Sequence, residues 1–260
     1  MYAFAREPKW ILSHLCVLLL VVVMILLGFW QLDRLQQKKD RNALVAARQD
    51  EPVAPVTDIV SADDPSEVGG DVRFREATAT GVYDEDAQVL VRNRTFDGAP
   101  GSWVLTPLVL EDGTAIVVNR GWVPVTGEQV LSPVAAPPAG EVDVQGLLEQ
   151  TQNRGSFGPT DPSGEVLDTL SRVDLERLQE QVDEDLFPVW LQLETQDPPP
   201  GNQPTPVEPP ELDEGPHLGY AVQWFTFTLI ALIGYPIILR RRARRADEIH
   251  EVPEDEPVGV

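Results

Sequence analysis

Residues 214–245 read EGPHLGYAVQWFTFTLIALIGYPIILRRRARR and contain the segment that decides the fold. Its positions 218–239 are 22 consecutive uncharged residues. At about 1.5 Å per residue, one helix of this length crosses the hydrocarbon core of a bilayer. Arginines occupy five of the six positions that follow, which is typical of a cytoplasmic end. The sequence therefore predicts a transmembrane helix over residues 217–239, followed by a cytoplasmic tail at 240–260.

A second apolar run covers residues 10–30 and has only Ser13 and His14 as polar members. It ends in bulky residues and lacks the small-residue cleavage site of a signal peptide, which favours an uncleaved transmembrane helix. With two spans, both tails lie on one side of the membrane. The tails and their flanks carry seven basic residues, against five beside the loop between the spans, so cytoplasmic termini are predicted.

Between the spans, the pattern predicts an extracytoplasmic α+β domain. We expect a short tail at 1–9, a helical stalk at 31–50, a loop at 51–71 and a β-rich, mainly antiparallel domain at 72–195. Six short β-type runs lie within 72–124, 141–150 and 188–194, and Asp112-Gly113 predicts a hairpin between two of them. An amphipathic helix is expected around 173–185. Eight prolines in residues 196–216 predict an extended tether.

Composition excludes several kinds of function. The net charge is −22, and residues 31–216 hold 35 acidic and 13 basic residues, which is unfavourable for nucleic-acid binding. The histidines are His14, His217 and His250, and Cys16 is the only cysteine, so residues 31–216 cannot supply a Ser-His-Asp or Cys-His arrangement. A phosphate-binding glycine loop is also missing from the sequence. We predict that the chain is not an enzyme, with a hydrolase as the least supported reading.

Three motifs remain, and we expect all three near the membrane border. GFWQLDR covers residues 28–34 at the end of the first apolar run, and HLGYAVQWF covers 217–225 at the start of the second. NRGWVP, at 119–124, is interpreted as a strand end and β-turn with an exposed tryptophan. Each motif alone is also typical of an interface belt or a packed turn.

Helical spacing favours a functional reading of the third motif. His217, Tyr220, Gln223 or Trp224, and Phe227 fall on one stripe. An amide such as that of Gln223 is costly in hydrocarbon, so this stripe is expected to face protein or ligand. His14 lies about 24 Å lower by helical rise, so it cannot bind the same ion as His217.

In this order, and between two apolar runs, the motifs resemble those of the Surfeit-locus-one family of cytochrome c oxidase assembly proteins. The family patterns G-x-W-Q-x-x-R, N-R-G-W-[VI]-P and H-L-x-Y-A-x-Q-W are matched at Gly28, Trp30, Gln31, Arg34, Asn119, Arg120, Gly121, Trp122, Val123, Pro124, His217, Leu218, Tyr220, Ala221, Gln223 and Trp224. The resemblance implies a protein of the bacterial cell membrane with haem a as cofactor. Its implied partners are oxidase subunit I, haem a synthase as a further candidate, and membrane lipid, with no nucleic acid.

The resemblance also implies roles for particular residues. His217 would be the ligand of the haem iron, with Tyr220, Gln223 and Trp224 beside the porphyrin. Trp30 and Gln31 would form the facing wall on the first helix, and Arg34 would pair with a propionate. Two alternatives stay open: a chaperone of the apo-subunit that does not touch haem, and a membrane-anchored sensor whose acidic domain binds a partner.

Overall fold

The computed structural model describes residues 3–62, 72–125, 135–155, 158–201, 203–209 and 212–250. Its contacts divide the chain into two compact units, one formed by Met1–Ala43 with Leu212–Val260 and the other by Leu44–Glu211. The end of the predicted loop (63–71) and the last ten residues of the predicted tail (251–260) lie outside the described residues.

The two long helices lie near the ends of the chain, and the strands and two short helices lie between them. In chain order they are α1 (Pro8–Gln49), β1 (Ala54–Pro55), α2 (Val56–Ile59), β2 (Glu76–Tyr83), β3 (Val89–Phe96), β4 (Ala99–Leu110), β5 (Thr114–Pro124), β6 (Glu141–Gln150), β7 (Thr169–Leu170), α3 (Leu175–Gln179), β8 (Asp185–Asp197) and α4 (His217–His250). All six predicted strands are confirmed. The predicted loop also contains β1 and α2, because Ala54 and Pro55 pair with β2.

The first unit is an antiparallel pair of long helices. Both α1 and the segment His217–Arg245 of α4 are long and apolar enough to cross a membrane. On α1 the buried positions Val21, Met24, Gly28 and Leu35 recur at spacings of three, four and seven, and a Cβ at Gly28 would meet the Phe225 ring of α4. This heptad-like repeat is typical of two helices that pack at a small crossing angle.

The second unit is a barrel-like sheet. Strands β2, β6, β8, β5 and β4 pair in that order, and β4 pairs back to β2, which closes the ring. β3 and β7 extend the sheet beyond β4. The pairing is mainly antiparallel, as predicted, but β1 with β2, β3 with β7 and β5 with β8 are parallel.

Alternating side chains divide the apolar residues between two sides of this ring. Inside, Ile116, Val118, Leu191 and others form a continuous core. Outside, a second core includes Val117 and Trp190 and is covered by α3. The predicted helix at 173–185 is shorter, because the Gln179 side chain bonds the Glu184 carbonyl and the Leu186 amide and turns the chain into β8.

The NRGWVP motif is not a turn with an exposed tryptophan, and that prediction is wrong. The motif lies within β5, where Arg120 is 3% exposed and Trp122 is 7% exposed. Opposite it, Val104 pairs with Gly121 and Leu105 with Asn119, so Arg120 is an extra residue in the strand. This is a β-bulge, which changes the direction of the side chains that follow it.

The sequence predicted that the proline-rich segment is an extended tether. Part of that segment instead pairs with β5. The Trp122 amide donates to the Thr205 carbonyl at 2.7 Å, and the Thr205 amide donates to the Trp122 carbonyl at 2.8 Å. A side chain at Gly121 would overlap with the same Thr205 carbonyl, and Gly121 has φ +139°. The glycine of the motif therefore allows residues near Thr205 to pack on the barrel.

Replacing Gly121 by alanine tests this packing. We expect Gly121→Ala to lower the free energy of unfolding by about 2–4 kcal/mol, since it combines backbone strain with a backbone clash. Gly113→Ala is the matched control, because Gly113 has φ +85° but an added Cβ there meets no atom within 4 Å. The control should lose only about 1–2 kcal/mol. Denaturation followed by tryptophan fluorescence compares them, and equal losses would contradict the role assigned to Thr205.

Candidate functional site

The candidate site is built where the end of α1's apolar segment meets the start of α4. The Nδ1 atom of His217 lies 2.8 Å from the Oε1 atom of Gln31, although 186 positions separate the two residues. A carbonyl oxygen only accepts, so Nδ1–H is the donor in this contact. In the neutral imidazole with this Nδ1–H, Nε2 carries the lone pair.

The Nε2 side of His217 is kept open by a glycine. Gly215 has φ +69°, and its amide hydrogen is bonded to the Asp213 carboxylate. A Cβ at Gly215 would lie 3.4 Å from Nε2 and 3.3 Å from Cδ2 of the ring. Within the described part of the chain, Nε2 has no hydrogen-bond partner. His217 can therefore offer one neutral nitrogen ligand.

A second glycine sets the distance between the two helices. A Cβ at Gly28 would lie 2.8 Å from two atoms of the Phe225 ring. Phe29 contacts the same ring edge-on, with centroids 5.5 Å apart. Glycine is thus required at position 28, three residues before Gln31. It lets the two helices approach closely enough for Gln31 to reach His217.

The other predicted site residues lie around this pair without bonding to it. Trp30 and Tyr220 are each about half exposed. The Arg34 guanidinium lies 5.6 Å from the Trp30 ring centroid and also donates to Gln37. Trp224 is half-buried and packs edge-on against Phe227. The site thus combines one ligand nitrogen, several aromatic faces and one cation.

The predicted stripe on α4 divides between two faces. Ala221 and Thr228 are buried toward α1, on the same face as His217. Gln223 and Phe227 are exposed instead. Gln223 forms no hydrogen bond with another described residue, so its amide faces whatever surrounds the helix pair.

A second polar contact joins the opposite ends of the helices, and sequence reasoning missed it. Tyr235 Oη lies 2.6 Å from Nδ1 of His14 and 3.0 Å from Oγ of Ser13, while His14 Nε2 lies 3.2 Å from the Ala5 carbonyl. Tyr235 is 18 residues along α4 from His217, which is about 27 Å. This confirms that His14 and His217 cannot share an ion. The sequence did offer one signal, because His14 and Tyr235 lie at matching depths along two antiparallel apolar runs.

Residues of the NRGWVP motif form a buried network inside the other unit. Arg120 donates to Gln88 Oε1 at 2.8 Å and to the carbonyls of Ala135 and Ala136. Burial raises the pKa of Tyr83, whose ring lies under Arg120, although the guanidinium opposes the shift. Burial also lowers the pKa of Arg120. Through Arg120, the motif links β5 to Gln88 and to the backbone at Ala135 and Ala136.

The described ranges contain no conventional metal-binding cluster, since no group of three or more His, Cys, Asp or Glu side chains is placed there to hold a metal ion. The candidate site therefore belongs to a class that offers a single imidazole and flat apolar surfaces, which suits a planar metal-bearing group better than a bare ion.

Fold and site together define a protein in which a β-barrel-like domain is inserted between two apolar helices that pair through a histidine. The model of the SURF1 family matches residues 18–229. The chain belongs to the SURF1 family, whose members are known generally as cytochrome oxidase assembly factors.

Relatives support this over the whole length. A SURF1-like protein of Mycobacterium tuberculosis is 31% identical, with 99% of this chain and 94% of that protein covered. A SURF1-like protein of Monosiga brevicollis is 26% identical over 85% of each chain. Surfeit locus protein 1 of Xenopus tropicalis is 28% identical over 60% of this chain and 52% of its own.

A larger distance between α1 and α4 should separate Gln31 from His217. We expect Gly28→Leu to push α4 away, because the Phe225 ring occupies the space of the new side chain. In a Cys16→Ser background, Gln31→Cys with His217→Cys reports proximity by disulfide formation. Gly28→Leu should slow this reaction at least tenfold. Gly219→Leu is the control, since an added Cβ there meets nothing within 4 Å, and a similar slowing in both would contradict the assignment.

Proposed function

We propose that the chain is a non-enzymatic assembly factor of the bacterial cell membrane, which binds haem a and delivers it to subunit I of cytochrome c oxidase. In this proposal α1 and α4 both cross the membrane, both termini are cytoplasmic, and the barrel-like domain is extracytoplasmic. The observation that carries the proposal is the hydrogen bond between Gln31 and His217, because it fixes the imidazole in a form that can ligate iron.

The imidazole of His217 could supply one nitrogen ligand to a haem iron. Hydrogen bonding through Nδ1 orients the ring, as second partners do at metal sites. Gly215 keeps the approach to that nitrogen clear. When bound, haem a would supply an iron centre for the imidazole and a flat apolar macrocycle for the aromatic residues.

The remaining residues would hold the edges of the group. Trp30 and Tyr220 present exposed aromatic faces on the two helices. Arg34 can turn toward a propionate, since its present contacts are a neighbouring glutamine and the Trp30 ring. A site with one protein ligand and open edges suits transient holding, since the group can leave without breaking a second coordinate bond.

Purification from cells that make haem a tests the ligand. We expect the visible spectrum of bound haem to fall at least tenfold in His217→Ala. Gln31→Leu should retain binding but weaken it and shift the spectrum, because the ring loses its orienting acceptor. His14→Ala is the matched control and should keep its haem, since Tyr235 engages that histidine. An unchanged spectrum in His217→Ala would remove this residue from the site.

A second candidate role rests on Gln223. Its amide is exposed on an apolar helix, where an unpaired amide is costly in lipid, so a polar group of a partner helix is its natural acceptor or donor. We propose that this face of α4 binds a transmembrane helix of subunit I, with or without haem present. Haem a synthase is a further candidate partner for the same face.

Co-purification with subunit I from cells unable to make haem a tests that face. Gln223→Leu should reduce the recovered subunit at least threefold, since an interhelical hydrogen bond contributes about 1 kcal/mol. Thr226→Val is the control, because the Thr226 hydroxyl is satisfied by the Val222 carbonyl at 2.8 Å in its own helix. If both variants retain the subunit equally, Gln223 does not mediate the contact.

A further inference from the structure

One face of α4 carries exposed isoleucines over the last turns of its apolar run. Ile230, Ile233 and Ile237 are 60%, 54% and 43% exposed. Their spacings of three and four place them on one side of a helix that turns about 100° per residue. The buried positions Ala221 and Thr228 lie on the other side. The three side chains, which we call the isoleucine stripe, are therefore free to contact molecules outside the helix pair.

Three arginines continue the isoleucine stripe beyond the apolar run. Arg240, Arg241 and Arg244 follow Ile237 at distances of three, four and seven positions, and all three are exposed. We call these three residues the arginine patch. Arg242 and Arg245 are exposed as well, but the turn of the helix places them farther round α4. Stripe and patch together form one continuous surface that is apolar at one end and cationic at the other.

The arginine patch has no anionic partner in the described part of the chain. None of its guanidinium groups forms an ion pair or a hydrogen bond with another described residue. No acidic residue lies within four positions of Arg240 or Arg241, and the first one after them is Asp247. Arg240 and Arg244 are four positions apart, a spacing at which like charges on a helix repel each other. An anion bound between these side chains would offset that repulsion.

The chemistry of the two groups defines the kind of ligand that fits them. A guanidinium presents its N–H donors as a planar fork, which matches the oxygens of a phosphate group. The isoleucine stripe offers only apolar contact. A ligand that covers both groups therefore needs an anionic phosphate at one end and a long apolar chain at the other.

The length of this surface matches one leaflet of a bilayer. Arg240 lies 23 residues after His217, or about 35 Å along the helix, so in the proposed membrane arrangement it reaches the headgroups. Ile230 precedes Arg240 by ten residues, or about 15 Å, which is half of the roughly 30 Å hydrocarbon core. An acyl chain whose phosphate lies at the arginine patch would extend along the stripe as far as Ile230.

We propose that this surface of α4 binds an anionic phospholipid of the cytoplasmic leaflet. The lipid phosphate lies at the arginine patch, and one acyl chain lies along the isoleucine stripe. The inference rests on the proposed function only in that α4 crosses the membrane with its C-terminus in the cytoplasm. It involves neither haem nor subunit I.

Native mass spectrometry of the full chain, released from detergent micelles with added phospholipid, measures the binding. Dioleoyl-phosphatidylglycerol should bind at least tenfold more tightly than dioleoyl-phosphatidylcholine, which has the same acyl chains and no net charge. Glycerol 3-phosphate carries the phosphate without acyl chains and should not displace the bound phosphatidylglycerol. Equal binding of the two phospholipids would overturn the role of the arginine patch. Displacement by glycerol 3-phosphate would show that the ligand is a free phosphate and not a lipid.

Two double variants of equal charge separate a lipid site from general attraction between a cationic tail and an anionic membrane. Arg240→Gln with Arg241→Gln should weaken phosphatidylglycerol binding at least tenfold. Arg242→Gln with Arg245→Gln removes the same charge outside the patch and should weaken binding less than threefold. Equal weakening in both would mean that only total charge matters, which contradicts a site.

Two further measurements keep this result separate from folding and from haem binding. Circular dichroism shows whether both double variants keep their helices. The visible spectrum of bound haem should be the same in both, because the substitutions lie about 35 Å along α4 from His217. Lipid binding can therefore fail while haem binding persists, and the reverse result in His217→Ala would leave the lipid site standing.

Discussion

The architecture of the barrel unit depends on one extra residue in a central strand. Alternation after Val117 and Val118 directs Asn119 outward and Arg120 into the barrel interior, and the extra residue opposite Val104 and Leu105 reverses the alternation beyond it, so that Trp122 pairs with Trp103. Gly121 follows the extra residue, and its positive φ lets the chain accept the Thr205 backbone. One local irregularity thus sets the side on which the end of β5 presents its side chains and allows the Thr205 backbone to pair there.

The helix pair follows a different physical logic. In the proposed membrane arrangement, apolar side chains gain little by leaving lipid, so association would depend on close packing and on polar contacts between the helices. Gly28 provides the close approach. The contacts of Gln31 with His217 and of His14 with Tyr235 lie near opposite ends of the apolar segments. Two polar contacts separated by about 27 Å fix both the register and the antiparallel direction of the helices.

Local patterns were sufficient for much of this structure. Alternating β-type runs gave six strands, and Asp112-Gly113 gave the hairpin, because both signals lie within about ten residues of sequence. The exposure of Trp122 in the NRGWVP motif was predicted wrongly. Burial is inferred from the alternation of side chains along a strand, and the bulge at Arg120 reverses that alternation. Contacts across long separations, such as Trp122 with Thr205, could not be deduced either. For the candidate site, helical spacing predicted a stripe that includes His217, but the pairing of His217 with Gln31 depends on the register of two helices.

Side-chain amides make the directed hydrogen bonds at the Gln31–His217 contact and at Gln88 and Asn119 in the barrel unit. A buried carboxylate could accept at the same points, but desolvating its charge would cost more than the bond returns. An amide is neutral. A neighbour that can only donate, or only accept, decides whether the amide presents its oxygen or its nitrogen. At Gln88, the Thr106 hydroxyl and the Arg120 guanidinium both meet Oε1; at Gln192, the Gly121 amide acts through Asn119. The direction of each amide is thereby set by the backbone and by fixed donors.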